Sequence, residues 1–230
     1  MSKTEENKAV ITWEDELKAY AQEAAEREQA DTPVFSFRSG IMSLSNEIIP
    51  GNEVSVIVLD ALYENSYYSG NYDPDNVVEP DCHAINHSNT EMAPGPGGES
   101  ENCHQCPHNQ FKTAKNGKGK ACKNGRRLYV IPAGRIVDGR FTPPKEVSDL
   151  EGRISIMRLP VTSGKLFSEY TKKLTSTVNR PPFGVYTRVK VVPDQHTQFK
   201  VLFSLLDVVP SDFGQVIMTR VKDALSLQGE

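Results

Sequence analysis

Val185-Tyr186-Thr187-Arg188-Val189-Lys190-Val191 is the stretch on which the reading of this 230-residue chain turns. Side chains along a strand alternate between two faces, so Val185, Val189 and Val191 fall on one side and Tyr186, Arg188 and Lys190 on the other. The first side is a core face. The second is an outward face that mixes a flat ring with cations, which is what a nucleic-acid single strand needs for stacking and phosphate contact. Phe199, Val201, Phe203 and Leu205 repeat the alternation and predict the hairpin partner of this strand.

Working back from that hairpin, Ser163 reads as the cap of a helix with Leu166, Phe167, Tyr170 and Leu174 on one face, stopped by Arg180-Pro181-Pro182. A strand is expected over 154–159. Before it, Arg127, Tyr129 and Ile131 point one way and Leu128 and Val130 the other, a second strand that carries ring and cation on its outward parity. Residues 54–62 are apolar on both faces and read as a central strand, and the alternation of Phe35, Phe37 and Ser39 with Ser36 and Arg38 predicts a strand to about residue 45. At the start, Thr12 and Asp15 resemble a capping box ahead of Trp13, Leu17, Tyr20 and Ala24, giving an amphipathic helix over 12–30. Ser211 begins a last helix with Phe213, Val216, Ile217 and Val221. Five or six strands with flanking helices, and one helix between late strands, predict a mainly β fold with an OB-like barrel, a small sandwich being the alternative.

The segment 79–124 interrupts this pattern. It is polar and rich in Gly, Pro and Asn, too long for a structureless loop in a compact domain, and it holds all four cysteines: Cys82, Cys103, Cys106 and Cys122. Tetrahedral Zn²⁺ takes four thiolates or thiolates with imidazole; the Cys103-x-x-Cys106 knuckle supplies two, and Cys82 and Cys122 arrive on separate limbs. His83, His87, His104 and His108 are near enough to replace one cysteine, and an iron–sulfur cluster uses the same ligands. Met1 to Lys8 is polar and acidic, unlike a secretion signal, so reduced thiols in a cytoplasmic protein are expected rather than disulfides. The expected organisation is therefore an N-terminal helix over 1–32 and a nucleic-acid-binding domain over 33–230 with a zinc-binding insertion at 79–124.

A net charge of −4 conceals a segregation along the chain. Residues 39–111 contain no Lys or Arg, whereas 103–137 carry Lys112, Lys115, Lys118, Lys120, Lys123, Arg126, Arg127 and Arg135 with no Asp or Glu. Gly117, Gly119 and Gly125 let the backbone of this basic run approach a phosphate, and Phe111 and Tyr129 offer stacking faces. Enzyme signatures are missing. There is no His-Glu-x-x-His and no deaminase pattern, and Lys118-Gly119-Lys120 is followed by Ala121 where a phosphate loop has Ser or Thr. No apolar run reaches bilayer length, so no membrane partner is expected.

Glu79-Pro80-Asp81-Cys82, Cys103-His104-Gln105-Cys106-Pro107-His108-Asn109 and the run from Gly117 to Leu128 resemble a family of bacteriophage single-stranded DNA-binding proteins. So, further on, do Arg158-Leu159-Pro160-Val161-Thr162-Ser163 and Tyr170. The design is similar to phage proteins in which a zinc subdomain is inserted in an OB barrel. The resemblance implies metal roles for the four cysteines and DNA contact for the basic loop. The expectation is a non-enzymatic protein that binds single-stranded DNA in phage replication or recombination, with partner proteins from those processes, in the host cytoplasm. Its contacts are Arg38, Phe111, Lys112, Lys115, Lys118, Lys120, Lys123, Arg126, Arg127, Tyr129, Tyr186, Arg188 and Lys190. Two alternatives stand beside it: a zinc-ribbon protein that binds host transcription or defence proteins through the acidic stretch 39–101, and an RNA-binding protein.

Overall fold

Val54 to Leu59 runs almost unbroken in apolar side chains, and in the computed structural model it lies at the centre of a sheet that is covered on both faces. The structure describes residues 13, 16, 17, 20, 21, 32–71 and 78–228. The chain divides into two units, Met1–Thr32 and Pro33–Glu230. In the first, Trp13, Glu16, Leu17, Tyr20 and Ala21 are helical, and the remainder of the helix expected over 12–30 lies outside the described residues.

The second unit opens with three short strands, β1 (Val34–Ser36), β2 (Ser43–Leu44) and β3 (Glu47–Ile48). The long β4 (Glu53–Tyr67) follows, then β5 (Cys82–Asn86) inside the insertion and β6 (Lys123–Pro132) after it. A hairpin of β7 (Arg135–Val137) and β8 (Arg140–Thr142) precedes β9 (Ser155–Leu159), helix α1 (Val161–Val178), β10 (Val185–Asp194), β11 (Gln198–Val208) and helix α2 (Gly214–Ser226). The main sheet runs β11-β10-β4-β6-β9-β1-β2-β3, with β5 also on β4. β1 and β9 pair in parallel, and the other pairs are antiparallel. The first part of β4 holds β10 on one edge and its last part holds β5, while β6 follows the other edge almost throughout.

Because β4 and β6 are apolar on both parities, each needs two covers. On one face Val56, Val58, Leu128, Val130, Met157, Val185, Val189 and Val201 pack with Phe167, Tyr170 and Leu174 of α1. On the other, Ile57, Leu59, Tyr129, Ile131 and Tyr186 pack beneath Ile217 and Ala224 of α2, with Leu150 and Phe141 alongside. The turn Arg38–Gly40 after β1 packs against β10 and β11, so the sheet curls until its β1 side meets β11 around the first core. Gly40 has φ +76°, and a Cβ there would stand 3.4 Å from Cβ of Phe199, so backbone approach at this seam favours glycine.

Several local expectations are corrected. The strand expected to residue 45 ends at Ser36, because Ser39 and Gly40 take positive φ and turn the chain. Ser163 does not cap α1: the helix starts at Val161 after Pro160, and the buried Ser163 hydroxyl accepts from the Val201 N–H at 3.0 Å, fastening α1 to β11. The central strand extends beyond 54–62 to Tyr67, and β6 begins at Lys123, so the insertion is clamped by the same pair that forms the sheet. Among the described residues no helix is long and apolar enough to cross a membrane.

Candidate metal centre and nucleic-acid interface

Each cysteine is positioned by backbone hydrogen bonds. Cys82 starts β5 opposite Tyr67. The Cys103 N–H donates to Met92 O (3.0 Å), and the Cys122 N–H donates to His108 O (2.9 Å) just before β6. Between Cys103 and Cys106 the chain forms a knuckle, in which the Asn109 N–H reaches Cys106 O (3.0 Å) and the Asn109 side-chain amide donates to Cys103 O (2.6 Å). Gln110 Nε2 donates to both His104 O (2.8 Å) and Cys106 O (3.2 Å). All four cysteines are free thiols and line one cavity of about 10 Å³, together with Asn65, Tyr67 and Asn109. That is the space of a single water-sized sphere.

The thiols feel one another. Burial, reinforced by Cys103, Cys106 and Cys82, pushes Cys122 up to about 11; Cys103 is raised by burial and by Cys82 and Cys106. Four sulfurs around so small a space match the donor set of a tetrahedral thiolate site. As they stand, however, no three described His, Cys, Asp or Glu side chains form a group that could hold an ion. The thiols surround a common space without closing on it. None of the four candidate histidines lines the cavity. His83 Nε2 lies 3.1 Å from Glu64, His87 Nε2 lies 2.8 Å from Asp60, and the His108 ring stacks on Tyr67 at 4.0 Å with its Nε2 3.5 Å from Glu99.

The basic loop after the knuckle is closed on itself. The Lys112 N–H donates to Gly119 O (2.6 Å), the Ala121 N–H to Thr113 Oγ1 (3.0 Å) and the Lys118 N–H to Asn116 Oδ1 (2.9 Å), with Gly117 and Gly119 at positive φ. Lys112, Lys115, Lys118 and Lys123 are exposed, Lys115 bonding Asn71 Oδ1 at 2.8 Å. Phe111 is 76 % exposed and carries the Lys120 ammonium 5.4 Å from its ring centroid, while Lys120 Nζ also donates to Asn109 Oδ1 (3.2 Å). One ring and its cations are thus presented together on a loop tied to the cysteine knuckle.

The strand contacts fare differently. Tyr186 is 0 % exposed and Tyr129 1 %, both inside the second core, so the expectation that they offer stacking faces is corrected. Their parity is as read, since Tyr186 shares its side of β10 with Arg188 and Lys190. That side is roofed by α2 and the β7–β8 hairpin, whose Phe141 ring stands 5.3 Å from Tyr186. Each ring buries about 150–250 Å², worth about 4–6 kcal/mol of transfer free energy. Arg127, 16 % exposed in its side chain, is paired to Glu64 rather than turned to solvent. Arg188 donates to Gly139 O (2.8 Å), and with Lys190 it flanks Glu53 at 3.7 and 3.6 Å. Arg38 is exposed in the turn after β1. These last three residues belong to the β10–β11 side of the sheet, whereas Phe111, the loop lysines and Arg126 gather at the insertion.

Sequence reading missed Glu64 and Tyr63 near the end of β4. Register places Tyr63 opposite Arg126, and the guanidinium lies 3.5 Å from the ring centroid. Only the pairing of β4 with β6 brings these residues together, and no local motif announces it. No family model, curated protein or solved structure matches the chain.

Proposed function

We propose that this chain is a non-enzymatic single-stranded DNA-binding protein of the kind that serves phage replication and recombination, built as an OB-like barrel with a zinc-binding insertion. The observation that carries the reading is the position of the basic loop within the strand path. Five strands lie side by side in the order β11-β10-β4-β6-β9, with α1 between β9 and β10. In an OB barrel the loop joining the first two strands is a main oligonucleotide contact. Matched strand for strand, that loop is the β4–β6 connection, which holds the cysteines, Phe111 and Lys112 to Lys123.

Cys82, Cys103, Cys106 and Cys122 would hold the ion. Its chemistry there is structural, since four thiolates leave no position for water. Lys112, Lys115, Lys118, Lys120 and Lys123 supply phosphate affinity through counterion release, and Phe111 supplies sequence-tolerant stacking. With the β4–β6 face roofed, the strand is held by the insertion and its borders rather than by the flat of the sheet.

The test is fluorescence anisotropy with labelled single-stranded DNA, duplex DNA and RNA across a salt series. Preference for single-stranded DNA, weakening steeply with salt, supports the reading. Preference for RNA moves the partner to RNA, and absence of binding to any nucleic acid, with a stable nuclease-insensitive protein complex, replaces the reading with that of a protein-binding module.

A further inference from the structure

Arg126 is a half-buried cation with no ion-pair partner among the described residues. Its guanidinium lies over Tyr63, stands 5.9 Å from the Phe167 ring centroid and donates from Nη2 to Ser168 Oγ at 3.1 Å, while Ser168 donates on to Gly164 O (3.2 Å). Among the described residues no carboxylate stands within ion-pair distance of it, whereas Arg127 and Arg158 share Glu64. Removing a guanidinium from water without an opposite charge is costly, and a ring face and one hydroxyl offset only part of that cost. The side chain is nevertheless held in place on three sides, which is how a fixed anion receptor is built.

The space in front of Arg126 suits an anion. It is a cleft of about 230 Å³ between the insertion and the start of α1, and among the described residues no Asp or Glu lines it. Lys120 lines it from the insertion and Lys165 from the helix, where the Lys165 ammonium stands 3.7 Å from Glu169 at the surface, and Asn89 and Asn124 complete the polar lining. Val161 and Gly164 bring the first turn of the 18-residue α1 to the wall, and that turn has no side-chain cap, so its positive end adds to the field without being the site by itself. Lys120 links the cleft to the exposed Phe111 ring, because its ammonium stands over that ring and its side chain lines the cleft.

We infer that this cleft seats a backbone phosphate of the bound single strand, with Arg126 as the fixed guanidinium and Lys120 and Lys165 closing on it from either side. The inference rests on the proposed function and narrows it. The strand passes from a base stacked on Phe111 into the cleft and along the start of α1, a path that strand parity alone does not suggest.

The experiment measures binding of a labelled oligothymidylate by anisotropy at several salt concentrations, for the full chain and for Arg126→Gln, Arg126→Lys, the pair Lys120→Gln with Lys165→Gln, and Lys172→Gln on the exposed side of α1 as control. Arg126→Gln is expected to weaken binding about tenfold and to reduce the slope of log K against log salt by about 0.7, the value for one single-strand phosphate contact. Arg126→Lys recovers part of the loss, the lysine pair loses affinity and slope in the same sense, and the control matches the parent. Should Arg126→Gln melt too early to assay, Lys165→Gln without the Lys120 change decides by itself, since the Lys165 side chain is 86 % exposed and substitution there leaves the fold alone. A parent that binds while Arg126→Gln and Lys165→Gln keep its affinity and slope overturns the cleft and leaves the proposed function standing. A parent that binds no strand overturns both.

Discussion

Glu64 on β4 accepts a hydrogen bond from Arg127 on β6, although the residue directly opposite Arg127 is Leu62, so the pair closes diagonally across the two strands. The same carboxylate oxygen takes His83 Nε2 from β5 at 3.1 Å and faces Arg158 Nε from β9 at 3.7 Å. One carboxylate on β4 therefore gathers partners from three other strands, at the place where the insertion joins the sheet.

That arrangement sets a pH dependence. Burial pushes the Glu64 carboxyl up, but hydrogen bonds from His83 and Arg127, with the charges of Arg127 and Arg158, outweigh it and bring it from 4.5 down to about 2. A depressed carboxylate contributes stability that is present above 4.5 and is lost as pH falls through about 2. Glu64→Gln is expected to cost about 3 kcal/mol at pH 7, since it leaves Arg127 without its charge partner. Urea midpoints should show the gap between parent and variant shrinking from pH 4.5 towards pH 2. A gap that stays constant over that window would assign the loss to packing instead.

Tyr186 tests the roofed face. Tyr186→Ala should lower stability by about 3–5 kcal/mol while the folded fraction keeps its affinity for single-stranded DNA. The Tyr186 hydroxyl has no hydrogen-bond partner among the described residues, so Tyr186→Phe is expected to be neutral or to gain up to about 1 kcal/mol. Burial, with the nearby Asp207 charge, raises this hydroxyl from 10 to about 12. Unfolded chain ionises first, so stability falls as pH rises from 10 towards 12, and Tyr186→Phe should flatten that fall in thermal melts.

Phe111 and Lys118 should separate stacking from charge. Phe111→Ala removes an exposed ring and is expected to weaken binding by about 1–3 kcal/mol with the salt slope and melting temperature unchanged. Lys118→Ala should instead reduce the slope by about 0.7 and weaken binding to all sequences alike. Anisotropy at three salt concentrations distinguishes the two, and identical behaviour of both variants would count against a stacked base at Phe111.

Elemental analysis of the purified chain is expected to find about one equivalent of zinc, and Cys103→Ser or Cys106→Ser should release it. Because bound thiolates must shed protons, loading should decline as pH falls. Chelation should raise hydrogen exchange across 79–124 while β4, β6 and β10, which have apolar covers of their own, remain protected. A metal-free chain with full affinity for single-stranded DNA would end the metal assignment.

Periodicity made the strand path legible. The alternation in Val185–Val191 and Arg127–Ile131 placed every side chain on its correct face, and the helix between β9 and β10 stood out by its spacing. Parity says which side a residue takes, however, and not what later covers that side. Tyr129 and Tyr186 lie in the core closed by α2, and Tyr186 is also covered by Phe141 of the β7–β8 hairpin, packing that no local pattern announces. The clustering of the cysteines was visible as spacing alone, and so was the basic loop. The cleft was not, because it depends on Tyr63 lying opposite Arg126 and on α1 starting two residues ahead of Ser163, both of which are matters of register.

The parallel pairing of Val34 with Ile156, and the packing of Gly40 on Phe199, set order of synthesis against order of assembly. Residues 33–48 are made early, yet β9 and β11, on which they pack, are made only after the whole insertion has emerged. Hairpins such as β10–β11 can form as soon as they exist, whereas this seam must close a loop that spans most of the chain. Refolding should therefore be slow for a protein of this size, with the seam as its last step, and Ile41 and Ile48 stay at the surface even when that step is complete.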